Sequence, residues 1–289
     1  MPIVTIQDFT GVYTEQPFMQ GLRETVASNG DIHWLDCTKI EGTDCYCDDE
    51  AQDALNKMMD EGNATAANTS ATSTPGIHFF DNGNYHYMSK LWTDRVQEPF
   101  DLIVFDHHPD MQPPRFEGIL SCGGWIKEVL DNNKFVQNVI VIGVADHLVE
   151  EIREDLLQAN AAEILNRVTF IRESELKKHP ENLSSLVCSE LASVLSSNIY
   201  LSIDKDALST AEAATNWDQG SLTFGQLAKT LKVLAENRKI LGIDICGERA
   251  RDMGFEDTAA ADTLNNALNE KLYNLITTLV ERRFPPSRE

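Results

Sequence analysis

Short β-branched runs alternate with longer amphipathic stretches along this chain. Pro2–Gln7, Ile77–Phe80, Leu102–Phe105, Val139–Val144, Val168–Ile171, Ile199–Ile203 and Ile240–Ile245 read as strands. Several are apolar at every position, as expected of strands covered on both faces. Helical periodicity occupies Glu50–Asp60, Trp125–Leu130, Leu148–Leu165, Leu183–Leu195, Leu222–Ala235 and Thr263–Arg282. The alternation predicts an α/β fold: three αβα layers around a mostly parallel central sheet, as one domain spanning residues 1–289. Residues 61–75 are small and polar and read as a surface loop or a frayed helix end, and Pro285-Pro286 reads as a helix stop.

Charge narrows the function classes. The 289 residues carry 46 Asp+Glu against 24 Lys+Arg, a formal net charge of −22. That balance argues against phosphate tracking on nucleic acid and against docking on an anionic membrane. The apolar runs fall far short of the roughly 20 residues that span a bilayer. No basic n-region with a long apolar stretch opens the chain, and the six cysteines are too few for a disulfide scaffold. The expectation is a soluble, acidic, cytoplasmic protein with reduced thiols and a small-molecule partner.

Ligands of α/β sheets bind beyond the carboxyl ends of the strands, so the residues there carry the chemistry. Ile77–Phe80 is followed by Asp81-Asn82-Gly83-Asn84-Tyr85-His86, and Leu102–Phe105 by Asp106-His107-His108-Pro109-Asp110. Ile199–Ile203 runs into Asp204-Lys205-Asp206. Asp106, His108 and Asp110 stand at i, i+2 and i+4, so an extended or gently turning segment aims all three one way. Asp204 and Asp206 repeat that spacing. With His86 they make four carboxylates and two imidazoles, which cluster only if cations neutralise them. Two bridged divalent ions would do so and would activate a shared water. The ligand types admit manganese, iron, cobalt or zinc.

These motifs resemble the arginase–agmatinase (ureohydrolase) superfamily over residues 76 to 282. The second and third motifs are similar to the family's Asp-Ala-His-x-Asp and Ser-x-Asp-x-Asp. Gly220-Ser221-Leu222-Thr223-Phe224 resembles its Gly-Gly-Leu-Thr-Tyr, and Gly242-Ile243-Asp244-Ile245 its Gly-Leu-Asp-Ile strand. The resemblance implies two Mn(2+) ions and a homo-oligomer. One ion would be held by His86, Asp106, Asp110 and Asp204, the other by Asp106, His108, Asp204 and Asp206. It further implies attack of a metal-bridging hydroxide on a guanidinium carbon, with Asp110 orienting it and passing its proton to the leaving nitrogen.

The departures from the family pattern matter as much. The first motif lacks Gly-Gly-Asp-His-Ser, and the loop Leu120–Trp125 lacks the proton-shuttling His of arginases. Where relatives place a guanidinium-binding Glu, this chain has Cys246-Gly247, with Glu248 displaced by one. Asp218 beside Trp217 is the other acid placed to pair a cationic substrate group, with Trp217 as a wall or cation–π face; the alternative is a loop packed by one Trp. His107 is expected to support its neighbours rather than ligate, and His147 to cap the following helix. Cys122 reads as a small buried thiol and Cys45-x-Cys47 as incidental. Three functions remain open: a ureohydrolase, a deacetylase-like amide hydrolase, and a non-catalytic metal-stabilised binding protein.

Overall fold

The computed structural model describes residues 2–26, 31–66, 76–113, 119–178, 183, 185, 196–250 and 258–283. Its strands are β1 (Val4–Asp8), β2 (Ile32–Asp36), β3 (Tyr46–Cys47), β4 (Gly76–Phe80), β5 (Phe100–Phe105), β6 (Leu120–Ser121), β7 (Val136–Val144), β8 (Val168–Arg172), β9 (Asn198–Asp204) and β10 (Lys239–Cys246). The described α-helices are α1 (Pro17–Thr25), α2 (Asp49–Ala66), α3 (Met88–Thr93), α4 (Trp125–Asn132), α5 (Asp146–Gln158), α6 (Glu173–Lys178), α7 (Phe224–Asn237) and α8 (Ala259–Arg283). Eight strands form one sheet in the order β2-β1-β4-β10-β9-β5-β7-β8. Every pairing in it is parallel.

The continuous apolar runs follow from two-sided burial. Ile103 and Phe105 of β5 join one core, whereas Leu102 and Val104 join the other, because successive side chains leave opposite faces. On the first face lie Leu22 of α1, Leu227 and Leu231 of α7, and Leu268, Leu272 and Ile276 of α8. On the second lie Leu55 of α2, Ile126 and Val129 of α4, and Val149 and Ile152 of α5. The result is helices, sheet and helices in three layers.

All seven expected strands are present in the eight-stranded sheet, the short β3–β6 pair lies outside it, and the sheet's eighth strand, β2, is an addition. It is an edge strand whose His33, Trp34 and Leu35 are only half-buried, so its sequence shows no apolar run. The helix expected over Leu148–Leu165 stops at Gln158. Asn160 turns into the left-handed region with φ 55, and a short 3-10 segment, Ala162–Arg167, follows. α7 begins at Phe224 because Thr223 and Gln226 form a reciprocal capping box. Of the expected loop, residues 61–66 continue α2; residues 67–75, the tail from 284 and all but two positions of Leu183–Leu195 lie outside the described residues. No helix among the described residues is long and apolar enough to cross a membrane.

Candidate metal centre

The four central strands β4, β10, β9 and β5 end side by side. Asp106 follows the last residue of β5 and Asp204 is the last residue of β9, while a 3-10 turn over Gly83–Tyr85 carries His86 back over the sheet end. The structure thereby brings all six expected ligands together. His86 Nδ1 lies 3.1 Å from Asp106 Oδ2, 3.0 Å from Asp110 Oδ2 and 3.6 Å from Asp204 Oδ2. His108 Nδ1 lies 2.8 Å from Asp206 Oδ2 and 3.5 Å from Asp106 Oδ1. Asp110 reaches its place with φ 46, a conformation unusual for a residue bearing a side chain and the kind of strain found at functional sites.

Each carboxylate is anchored through a donor. Asp106 Oδ1 accepts from His108 N at 2.6 Å, Asp204 Oδ1 from Asp206 N at 2.8 Å, and Asp206 Oδ1 from His107 N at 3.0 Å. Asp110 Oδ2 accepts from Trp125 Nε1 at 2.8 Å. Buried Asp106 Oδ2 has no hydrogen-bond partner. His86 Nε2 bonds Ser202 Oγ at 2.9 Å, which leaves Nδ1 for the cluster. Such outer partners fix which nitrogen a ligating imidazole presents.

The donors fit a pair of hard-to-borderline divalent ions. Bonds of about 2.0–2.2 Å place neighbouring ligand atoms roughly 2.9–3.5 Å apart, and the separations given above are close to that. Two triads, His86–Asp106–Asp110 and Asp106–His108–Asp206, each have their donor atoms within 4.8 Å of one another. Asp106 belongs to both, so it stands where a bridging carboxylate would. The Arginase family model matches residues 22–260.

The chain belongs to the arginase family. An uncharacterized protein of Thermotoga maritima is 28% identical over 247 residues, covering 86% of this chain and 80% of that protein. Agmatine ureohydrolase of Thermoplasma volcanium shares the fold at TM-score 0.62 and 14% identity, over 99% of this chain and 92% of its own. Arginase from Bacillus caldovelox matches at TM-score 0.59 and 14% identity, over 93% and 98%. Trypanosoma cruzi formiminoglutamase with Mn2+ matches at 0.57 and 11%, over 95% and 94%.

This arginase-family chain opens a cavity of about 350 Å³ above the cluster. His86, Asp106, His108, Asp110, Asp204 and Asp206 form its base; Cys45, Gln112, Cys122 and Trp217 stand on its walls, and Glu151 and Asp155 of α5 at its rim. Trp217 is held by Nε1 donating to Asn84 Oδ1 at 2.9 Å, with its ring edge-on to His108. Asp218 next to it is exposed and does not line the cavity. The loop turns Trp217 toward the cavity and Asp218 toward solvent, so the acid expected to pair a substrate cation is not on the cavity lining. Glu248 is also turned away: it is fully buried and bonds Lys205 Nζ, Gln16 Nε2 and Asn269 Nδ2. Asp244 of the Gly242–Ile245 segment lies within the sheet, bonded to His78 and Tyr200.

Three smaller expectations are settled by geometry. His107 supports its neighbours, through its backbone N–H on Asp206 and its Nδ1 3.1 Å from Gly143 O. His147 does not cap α5: it is exposed in the first turn, and Ala145 is the N-cap. Cys122 is half-buried on the cavity wall, its backbone N–H on Cys45 O at 2.9 Å. The residue that sequence reading missed is Cys246, whose Sγ lies 3.2 Å from Asp204 Oδ2.

Without ions the cluster holds protons. Burial pushes Asp204 up to about 7, and the charges of Asp206 and Asp106 add to that. Burial pulls His108 down, but hydrogen bonds to Asp106 and Asp206 outweigh it and hold the imidazolium up to about 12. Folded pKa values above the unfolded ones mean that the folded chain binds these protons more tightly, so its stability falls as pH rises. The Asp204 contribution is lost from about pH 4 to 7 and the His108 contribution from about 6.5 upward. The melting temperature of chelator-stripped protein is therefore expected to drop between about pH 5 and pH 8. Manganese-saturated protein is expected to gain stability over the same range, because ligands bind metal deprotonated. Stripped protein that melts higher at pH 8 than at pH 5 would contradict this.

Proposed function

We propose that this chain is a binuclear metal-dependent hydrolase that cleaves a linear carbon–nitrogen bond in a small guanidino or amidine compound. The observation that carries the reading is the convergence of His86, Asp106, His108, Asp110, Asp204 and Asp206 at the base of the cavity. The similarity to a formiminoglutamase with Mn2+ favours manganese. Bound there, two divalent ions supply Lewis acidity and lower the pKa of a water.

The chain's own groups supply the rest. Ser202 keeps His86 in one tautomer, and the His107 and His108 amides keep Asp206 and Asp106 from rotating. Asp110, steadied by Trp125, is the base at the cavity floor: it takes the proton of the attacking water and delivers it to the leaving nitrogen. Trp217 closes one wall and offers its ring to the substrate.

An amide is the second reading, favoured by the residues that follow β10. Gly247 has φ +95, and a Cβ there would sit 2.7 Å from Lys205 N. No glutamate side chain fits at that position, and Glu248 is committed elsewhere. Among the described residues, a guanidinium clamp of the usual kind is thus missing from this end of β10.

Manganese-loaded protein assayed against arginine, agmatine, formimino and other guanidino compounds, beside acetylated polyamines and simple amides, tests both readings. Urea release from a guanidino compound or formamide release from a formimino compound supports the first, and acetate release from an acetylated polyamine or ammonia release from a simple amide the second. Loaded protein silent on all of them, or protein that binds no metal, would sink both. Trp217→Ala is expected to raise KM about tenfold with kcat little changed, the loss of one cation–π face. A fall in kcat at constant KM would place Trp217 in the chemistry instead.

A further inference from the structure

His86 also belongs to a second ligand set, one that includes Cys246. Cys246 ends β10 in register with Asp204, which ends β9, so both side chains leave the sheet together. The donor atoms of His86, Asp204 and Cys246 all lie within 4.8 Å of one another, and all three residues are buried. Sγ of Cys246 stands 3.2 Å from Asp204 Oδ2, and His86 Nδ1 stands 3.6 Å from that oxygen. Ligands on a tetrahedral ion with bonds of about 2.3 Å to sulfur and 2.0 Å to oxygen are separated by about 3.5 Å.

The backbone holds the thiol in this place. Gly247 has φ +95, and a Cβ there would clash with the Asp204 carboxylate and the Lys205 amide, so the chain after Cys246 runs close against Asp204. Nothing in the proposed hydrolysis uses this thiol. Imidazole, carboxylate and thiolate together suit a softer ion than manganese, whose natural partners are oxygen donors.

We propose that His86, Asp204 and Cys246 form a thiolate-containing metal site, selective for zinc or cobalt(II) over manganese, that competes with the His86–Asp106–Asp110 set for the same imidazole. Binding converts Cys246 Sγ–H and M2+ to an Sγ–M bond and one proton released to the buffer. The chain's choice of donors then depends on the metal offered: manganese draws His86 toward the carboxylates, and zinc draws it toward Cys246. This inference rests on the metal-centre reading above.

Cobalt(II) alone, added to stripped full-length protein, tests it by metal content and absorbance. A sulfur-to-cobalt charge-transfer band is expected in the wild type and in a Cys45→Ser/Cys122→Ser double variant, and not in Cys246→Ser. Competition titrations are expected to show Cys246→Ser weakening zinc by about tenfold or more while manganese changes less than about twofold. Bound cobalt without the band overturns the thiolate site and leaves the carboxylate centre standing, as does a band that survives Cys246→Ser. Loss of the band in the Cys45/Cys122 double variant overturns it even if Cys246→Ser fails to fold. Protein that takes up no cobalt overturns this inference, and the hydrolase reading falls with it only if the protein takes up no manganese either.

Discussion

Asp204→Asn is expected to lose most bound metal and roughly 10³-fold or more in kcat/KM while keeping its secondary structure. The carboxylate is buried, neighbours His86 and Cys246, and has one oxygen fixed by the Asp206 amide. An amide at this position is isosteric but supplies no charge toward a pair of divalent ions, and charge complementarity is the main source of such a site's affinity. The same change relieves repulsion in the stripped protein, because Asp204 is the ligand whose proton is held by burial and by Asp206 and Asp106. The variant should therefore melt at or above the stripped wild type at pH 8, yet gain less from added manganese. Metal analysis, circular dichroism and the substrate panel check the three parts separately. Ser202→Ala is the useful contrast, since it removes a support of His86 and not a ligand, and effects of that kind run 10–100-fold. Full metal content in Asp204→Asn would remove this residue from the centre.

Most of the sheet was legible because burial on both faces writes itself as apolar runs, unbroken over Leu102–Phe105 in β5 and Val139–Val144 in β7 and interrupted only by Ser202 over Ile199–Ile203 in β9. The candidate ligands were legible for a related reason: polar residues placed directly after an apolar strand have few bland explanations when three strands repeat the pattern. His86 was found although its motif departs from the family's, because the 3-10 turn after β4 needs only six residues to return to the sheet end. The misses share a cause, which is that they depend on partners far along the chain. Asp218 and Trp217 are equivalent on paper, and only the Asn84 bond shows which one turns inward. Cys246 looks like a small core residue until β9 and β10 are set in register. Edge strand β2 has too little burial to leave a pattern.

Lys205→Met is expected to destabilise the protein by about 3–5 kcal/mol, more than any exposed ion pair would. Lys205 stands between two ligands, Asp204 and Asp206, but its side chain leaves the cluster and meets Glu248, both groups being fully out of water. Removing one partner strands the other. Glu248 would keep only the Gln16 and Asn269 amides, which cannot neutralise it. Glu248→Gln alone should be damaging for the mirrored reason, an ammonium with no counter-charge. The double variant Lys205→Met/Glu248→Gln removes both charges and should recover about 2 kcal/mol or more of the single-variant loss, the non-additivity expected of a buried pair. Urea midpoints of the four proteins measure it. Additive losses would show that Lys205 acts instead on the neighbouring carboxylates. In that case metal content, not stability, would be the quantity that moves.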